Sequence, residues 1–210
     1  MTMERSDGTT VTPIGTIGTA SALDPDLLLR AVRKSLGVRG WRWHRLSELR
    51  ESVTDQELIY HPLWLGKVLT LADRPPFPPK RIPNAAFVDA VSGYRGVLER
   101  IPEVSHGTND DGRQVKPVIN TEQQAKRYVQ AVMHTVNRGY VLKKPQHQLA
   151  SLELLYMPLW KVTAEVPERR VVHVNAVTVE PETYMARQWQ SADWLSLDTD
   201  ALAPLSPTTR

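Results

Sequence analysis

Cysteine is absent from this 210-residue sequence. A disulfide framework, a thiolate nucleophile and a zinc–thiolate site are therefore excluded, and the absence fits a reducing compartment. Long apolar runs are missing as well, since no stretch approaches the roughly 18 to 20 apolar residues that a membrane-spanning helix needs. The N-terminus lacks the basic and apolar segments of a secretory signal. The sequence therefore predicts a cytoplasmic protein without a membrane partner.

The signature motifs of several enzyme classes are also missing. The sequence has no Gly-x-Gly-x-x-Gly, no Walker loop, no Gly-x-Ser-x-Gly and no His-Glu-x-x-His. The six histidines show no metal-ligand spacing, so we expect neither a metal site nor a cofactor. The formal net charge of +3 is too small to indicate a nucleic-acid partner by itself.

The aromatic residues are unusually distributed. The sequence has six Trp and six Tyr but only two Phe. Tyr and Trp combine an apolar body with a polar tip, and they are common at half-buried sites, pockets and interfaces. This enrichment favours a binding surface, although a core can also hold six Trp.

A short segment occurs twice in the chain. Residues 57–64 read Glu-Leu-Ile-Tyr-His-Pro-Leu-Trp, and residues 153–160 read Glu-Leu-Leu-Tyr-Met-Pro-Leu-Trp. Downstream, residues 87–92 match residues 173–178, with a Pro-rich insert at 74–83 making up the difference in spacing. Each segment follows an amphipathic helical pattern. The sequence therefore predicts an internal duplication.

The predicted fold class is α+β, with two pseudo-symmetric modules that each contain a helix and an antiparallel sheet. We expect a flexible tail at 1–20, module 1 at 21–104, a linker at 105–118, module 2 at 119–187 and a C-terminal tail at 188–210. Asp24 is the expected cap of the first helix, and Asn120 or Thr121 of the second. Because proline has no amide donor, each Tyr-x-Pro-Leu-Trp segment is expected on an edge strand or at a bulge.

One turn resembles a known family. Residues 88–93 read Val-Asp-Ala-Val-Ser-Gly, and residues 120–125 read Asn-Thr-Glu-Gln-Gln-Ala. Both segments are similar to the turn and the helix entry of PepSY modules, which are small cystatin-like α+β domains. The second copy departs from this pattern, with Val179 where the counterpart of Gly93 falls. The resemblance implies a mostly non-catalytic protein that inhibits, chaperones or binds.

The residues that differ between the copies are the candidates for chemistry. His61 stands opposite Met157, and Asp89 stands opposite Asn175. His is the usual acid–base group near neutral pH, so an enzyme would draw its catalytic set from His61, Tyr60, Asp89 and Tyr156. The alternative is a surface histidine and a turn-capping aspartate.

Six tryptophans are the candidate binding residues. Trp64 and Trp160 could line a pocket or pack against the module's own helix. Trp41 and Trp43 lie in the basic segment 30–50, which could stack on single-stranded nucleic acid or form a solvated helix face. Trp189 and Trp194 could anchor a partner protein or fold back over the protein's own sheet.

These observations favour a non-catalytic accessory protein that engages a protein partner, as a homo- or hetero-oligomer or as a subunit of a larger enzyme. The first alternative is an enzyme with a small-molecule site at the inter-module cleft around His61. The second is a nucleic-acid-binding protein that uses segment 30–50.

Overall fold

The structure is a computed structural model that describes residues 14–18, 24–37, 45–107, 112–140, 143–166, 168–197 and 206–207. The helices are α1 (Pro25–Ser35), α2 (Leu46–Ser52), α3 (Glu122–Asn137) and α4 (Thr183–Gln188). The strands are β1 (Ile14–Ile17), β2 (Val53–Arg74), β3 (Phe77–Asp89), β4 (Arg95–Leu98), β5 (Val104–Gly107), β6 (Arg113–Gln114), β7 (Gln146–Val166), β8 (Glu168–Asn175) and β9 (Ser206–Pro207). No helix in the described ranges is long and apolar enough to cross a membrane.

All nine strands belong to one mixed sheet. The order is β4-β3-β2-β7-β1-β5, with β6 beside β2 and with β8 and β9 beside β7. The two longest strands, β2 and β7, pair antiparallel at the centre from Val53–Ala164 to Leu71–Gln146. The prediction of two helix-plus-sheet modules was therefore wrong. The two similar segments are the facing parts of these central strands, with Tyr60 opposite Pro158 and Pro62 opposite Tyr156.

The helices explain why neither half is a separate module. Helix α3, from the second half, packs on apolar side chains of β2 and β3 that include Trp64, Val68 and Val88. Helix α1, from the first half, packs on side chains of β7 and β8 that include Val162 and Val174. Each half covers its apolar strand face with the other half's helix. The two halves therefore share their hydrophobic cores.

The prolines of the similar segments sit in central strands rather than at edges or bulges, so that expectation was also wrong. The carbonyl of Pro62 accepts from the amide of Ala90, and the carbonyl of Pro158 accepts from the amide of Ala176. The nitrogen and carbonyl of a strand residue point to the same side. Each proline nitrogen therefore faces β3 or β8 at the end of that ladder, where no amide donor is needed, and the β2–β7 ladder stays intact.

The helix starts predicted from the sequence are confirmed. The Asp24 side chain accepts from the amide of Asp26, with Pro25 in the first turn of α1. Thr121 caps α3 by accepting from the amide of Gln124. The segment expected to be a linker carries β5 and β6, which join the sheet beside β1 and β2.

The chain after β8 returns over the sheet as a C-terminal strap, which we define as residues 183–197. A guanidinium nitrogen of Arg95 donates to the carbonyl of Trp194 over 2.6 Å, and the Tyr128 hydroxyl donates to the carbonyl of Leu195 over 2.8 Å. The Trp194 ring meets Tyr94 edge-on. The strap is thus attached to β4 and α3 on one side of the sheet, and α4 lies beside β8.

Candidate functional site

The structure brings His61 and Asp89 into direct contact. Nε2 of His61 lies 2.6 Å from Oδ2 of Asp89, in the sheet face opposite α1 and α3. Only 3% of His61 and 0% of Asp89 is exposed. The sequence identified both residues, and their meeting follows from the β2–β3 register, in which Leu63 pairs with Asp89.

Trp189, a residue of the strap, covers this pair. Trp189 stacks on the His61 ring, with ring centroids 4.1 Å apart, and its indole N–H donates to Oδ2 of Asp89 over 2.7 Å. Trp189 follows α4 directly, so the position of the whole helix is tied to the buried pair. The tail residue Trp189 therefore folds back onto the protein's own sheet.

Asp89 is held as a carboxylate by a full set of donors. Its Oδ1 accepts from the amides of Val91 and Ser92 and from the Ser92 hydroxyl. Burial acts to raise the pKa of Asp89, but the hydrogen bond and charge of His61 and the two amides outweigh it, so the pKa is lowered. Each of its oxygens is therefore already engaged by the protein.

This environment does not suit a catalytic dyad. A reacting group must reach the acid–base pair, and here Trp189 and the strands enclose it. Tyr60 and Tyr156, the other members of the predicted acid–base set, do not join it. Side chains alternate along a strand, so Tyr60 points to the face opposite its neighbour His61. In this structure the pair positions the strap.

A second histidine, on β8, packs against the strap. His173 of β8 meets Trp189 edge-on, with centroids 4.9 Å apart. Burial, followed by the charges of His61 and Lys161, lowers the pKa of His173 to about 4. Its Nδ1 is buried and has no hydrogen-bond partner in the part of the chain that the structure describes. His173 is therefore neutral at physiological pH.

A groove of about 590 Å³ opens beside His173 at the edge of β8 that faces away from β7. Its floor is the continuous run Arg170 to His173, its walls are the end of α1 and the exposed side of α4, and the strand itself is an edge of the sheet. The wall residues are Ser35, Leu36, Thr183, Ala186, Arg187 and Gln190.

Within the described part of the chain, some backbone groups of β8 that face this groove have no hydrogen-bond partner. The amide of Asn175 donates to Glu180, and the carbonyl of His173 accepts from Glu182. Odd-numbered residues of β8 therefore turn their backbone groups away from β7. None of the hydrogen bonds found among the described residues uses the amide or carbonyl of Val171 or the amide of His173. An unpaired sheet edge of this kind is a template for another strand.

The groove is basic. Arg170 of β8 and Arg187 of α4 line it, and Arg169 is exposed beside Arg170 on β8. The described lining includes no acidic side chain. Glu168 approaches Arg170 at 3.5 Å, but both side chains are exposed, so solvent weakens this pair.

The other predicted binding residues lie elsewhere. Trp64 is 7% exposed and donates to the carbonyl of Ile119, and Trp160 packs against the α1 core. Trp194 is held in the strap, where its indole N–H donates to Gln188. Trp41 and Trp43 lie outside the described residues. No group of His, Asp or Glu in the described ranges could hold a metal ion.

The sequence identified the buried pair but not the groove. The alternating apolar positions of 171–179 predict a strand, yet they do not show which strand is left unpaired. The adjacent Arg169 and Arg170 were a visible signal. These arginines lie at a groove only because α4 folds back beside β8, and the sequence did not predict that position of α4.

Comparison with known proteins found no matching family model, no matching curated protein and no matching solved structure.

Proposed function

We propose that this protein is a non-catalytic binding protein that takes up an extended, acidic segment of a protein partner as an added strand at the edge of β8. The observation that carries the proposal is the groove at this edge, with the free backbone groups of Val171 on its floor. Main-chain hydrogen bonds give affinity in this mode of recognition, and side-chain contacts give specificity.

The charge of the groove selects the occupant. Arg169, Arg170 and Arg187 favour carboxylates at the positions of the added strand that face them. Leu36, Val171 and Ala186 offer apolar contacts between these cations. The partner segment is therefore expected to combine acidic residues with small apolar ones.

The same charges disfavour a second copy of this chain. Two β8 edges brought together antiparallel would place the arginine pairs of both strands close to one another. Like charges directly opposite each other destabilise a strand pair. Charged residues on edge strands are a common protection against self-association. A heterologous partner fits the edge better.

The enclosed His61–Asp89 pair favours binding over catalysis. Its carboxylate is fully engaged, its imidazole is covered by Trp189, and neither group reaches the groove. Its role in the proposal is indirect. It holds Trp189, and through Trp189 it fixes the α4 wall of the groove.

The test is titration of the full chain with short capped peptides of alternating Glu and Val, and of alternating Lys and Val. We expect the acidic peptide to bind and the basic peptide to show no binding. Reversing two groove cations, Arg170→Glu with Arg187→Glu, should weaken binding at least about tenfold, since two charge-assisted contacts are lost. Reversing two distant exposed cations, Arg74→Glu with Lys80→Glu, changes the net charge equally and should leave binding within about twofold.

A second pair of variants tests the backbone contribution. Val171→Pro removes the outward amide and breaks no ladder bond to β7, so the protein should fold but lose the peptide. Val171→Thr keeps the amide and should bind like the wild type. Equal binding by the Pro and Thr variants, or equal binding of the acidic and basic peptides, would overturn the proposal.

A further inference from the structure

The hairpin of β2 and β3 ends in an exposed apolar tip. The β2–β7 ladder stops at Leu71, while the β2–β3 ladder continues to Arg74 and Phe77. The five tip residues at 75–79 read Pro-Pro-Phe-Pro-Pro, and all are exposed. Phe77 is 67% exposed and is the most exposed large apolar side chain among the described residues.

Cations form a collar behind this tip. Arg74, Lys80 and Arg81 flank it on the hairpin, and Lys143 and Lys144 come from the segment before β7. The salt bridge between Lys143 and Asp73 places that segment beside the hairpin. A hydrogen bond from Nε2–H of His147 to Oδ1 of Asn137 places the end of α3, with Arg138, nearby. Residues 72–83 and 137–147 together carry six Lys and Arg against one Asp, a net charge of +5, whereas the whole chain carries +3.

We propose that this end of the protein binds the surface of an anionic lipid bilayer, with Phe77 in the interface and the collar against the headgroups. An apolar group at the tip can insert at the boundary between headgroups and acyl chains, while cations behind it contact the anionic headgroups. Each proline fixes its own backbone angle, so the tip holds its shape with few free torsions. A single-strand nucleic-acid surface would instead alternate aromatic rings with cations along a groove.

The test is cosedimentation of the full chain with vesicles of phosphatidylcholine alone, and with vesicles that also contain phosphatidylserine. We expect binding only to the anionic vesicles, and weaker binding as salt is added. Phe77→Ser should weaken binding about tenfold, through the lost apolar insertion. Arg74→Glu with Lys80→Glu should weaken it by at least about tenfold, because each cation near the surface contributes.

Matched controls use the opposite end of the molecule. Val171→Ser removes another exposed apolar side chain, and Arg170→Glu with Arg187→Glu makes the same change in net charge; both should bind vesicles within about twofold of the wild type. Binding to neutral vesicles that equals binding to anionic ones would overturn the proposal. So would an unchanged Phe77→Ser variant, or an oligonucleotide that binds the tip more tightly than the vesicles do.

Discussion

Trp189 and Asp89 lie 100 residues apart and are joined by a 2.7 Å hydrogen bond from the indole N–H to Oδ2. The same oxygen contacts Nε2 of His61, and the Trp189 ring stacks on that imidazole. Three residues from distant parts of the chain thus form one buried polar unit beneath an aromatic cover. Because α4 ends at this tryptophan and lines the groove at β8, the unit connects the centre of the sheet to the proposed binding edge.

The first prediction concerns the stability of this unit. Asp89→Ala leaves His61, Trp189, two amides and a hydroxyl without their acceptor, so the free energy of unfolding should fall by roughly 3 to 5 kcal/mol. Asn175→Ala is the matched control, since Oδ1 of Asn175 accepts from the amides of Val177 and Thr178 in a similar but exposed turn. The free energy of unfolding of Asn175→Ala should fall by only about 1 kcal/mol. Urea unfolding measures both, and equal losses would contradict a special role for Asp89.

The second prediction concerns the attachment of the strap. Gly93 has a φ of 76°, and a Cβ placed there would lie 2.6 Å from the carbonyl oxygen of Trp194. Gly93→Ala should therefore displace the strap. Gly37 has a similar φ of 58°, but no described heavy atom lies within 4 Å of its Cβ position. Gly37→Ala should cost only backbone strain, about 1 kcal/mol.

Limited proteolysis checks this pair of glycine variants. We expect Gly93→Ala to be cut in residues 183–197 much faster than the wild type, and Gly37→Ala to be cut there at the wild-type rate. The free energy of unfolding of Gly93→Ala should fall by a further 1 to 2 kcal/mol, roughly, because of the enforced close contact. Equal protection of the strap in both variants would show that Gly93 does not govern its attachment.

The third prediction concerns pH. Burial lowers the pKa of His147, and burial with nearby positive charge lowers that of His173 to about 4. In the unfolded chain both would have a pKa of about 6.5. The unfolded state therefore binds more protons between these values, and stability should fall as the pH is lowered from about 6.5 towards 4. For His173 the loss of stability by pH 4 is of the order of 3 kcal/mol.

Variants separate the two histidines from the carboxylates. Because the pKa of Asp89 is lowered, its protonation also reduces the free energy of unfolding as the pH falls, but only at more acidic pH. Between pH 6.5 and about 5 the slope should come mainly from the histidines. His173→Gln should reduce that slope measurably in unfolding experiments. A slope that is unchanged in this variant would mean that His173 titrates alike in the folded and unfolded protein.

Sequence patterns predicted local features better than their arrangement. The caps of α1 and α3 depend on a few adjacent residues, and both were predicted. The similarity of the two Tyr-x-Pro-Leu-Trp segments was visible as well, but it was interpreted as two modules. Nothing local in Leu29 or Val132 specifies which half's strands each helix covers. That choice is made by long-range packing, and it joins the two halves into one sheet.

The candidate site divides in the same way. His61 and Asp89 differ from their counterparts Met157 and Asn175, so comparison within the chain singled them out. Whether such a pair is exposed to solvent depends on Trp189. From the sequence, Trp189 could equally have bound a partner protein. Among the described residues, β7 is the only strand that pairs with β8, and a single bridge joins Val174 to Pro181 on the other side. No residue pattern in 168–175 records which neighbour is missing.

Strand addition at β8 is tested most directly by amide hydrogen exchange of the full chain with and without a saturating acidic peptide. The amides of Val171 and His173, which face the groove, should exchange at least about tenfold more slowly when the peptide is bound. The amides of Val172 and Val174 face β7 and should change much less. If the peptide binds while the exchange of Val171 and His173 stays unchanged, the partner does not pair with β8 and the central claim is wrong.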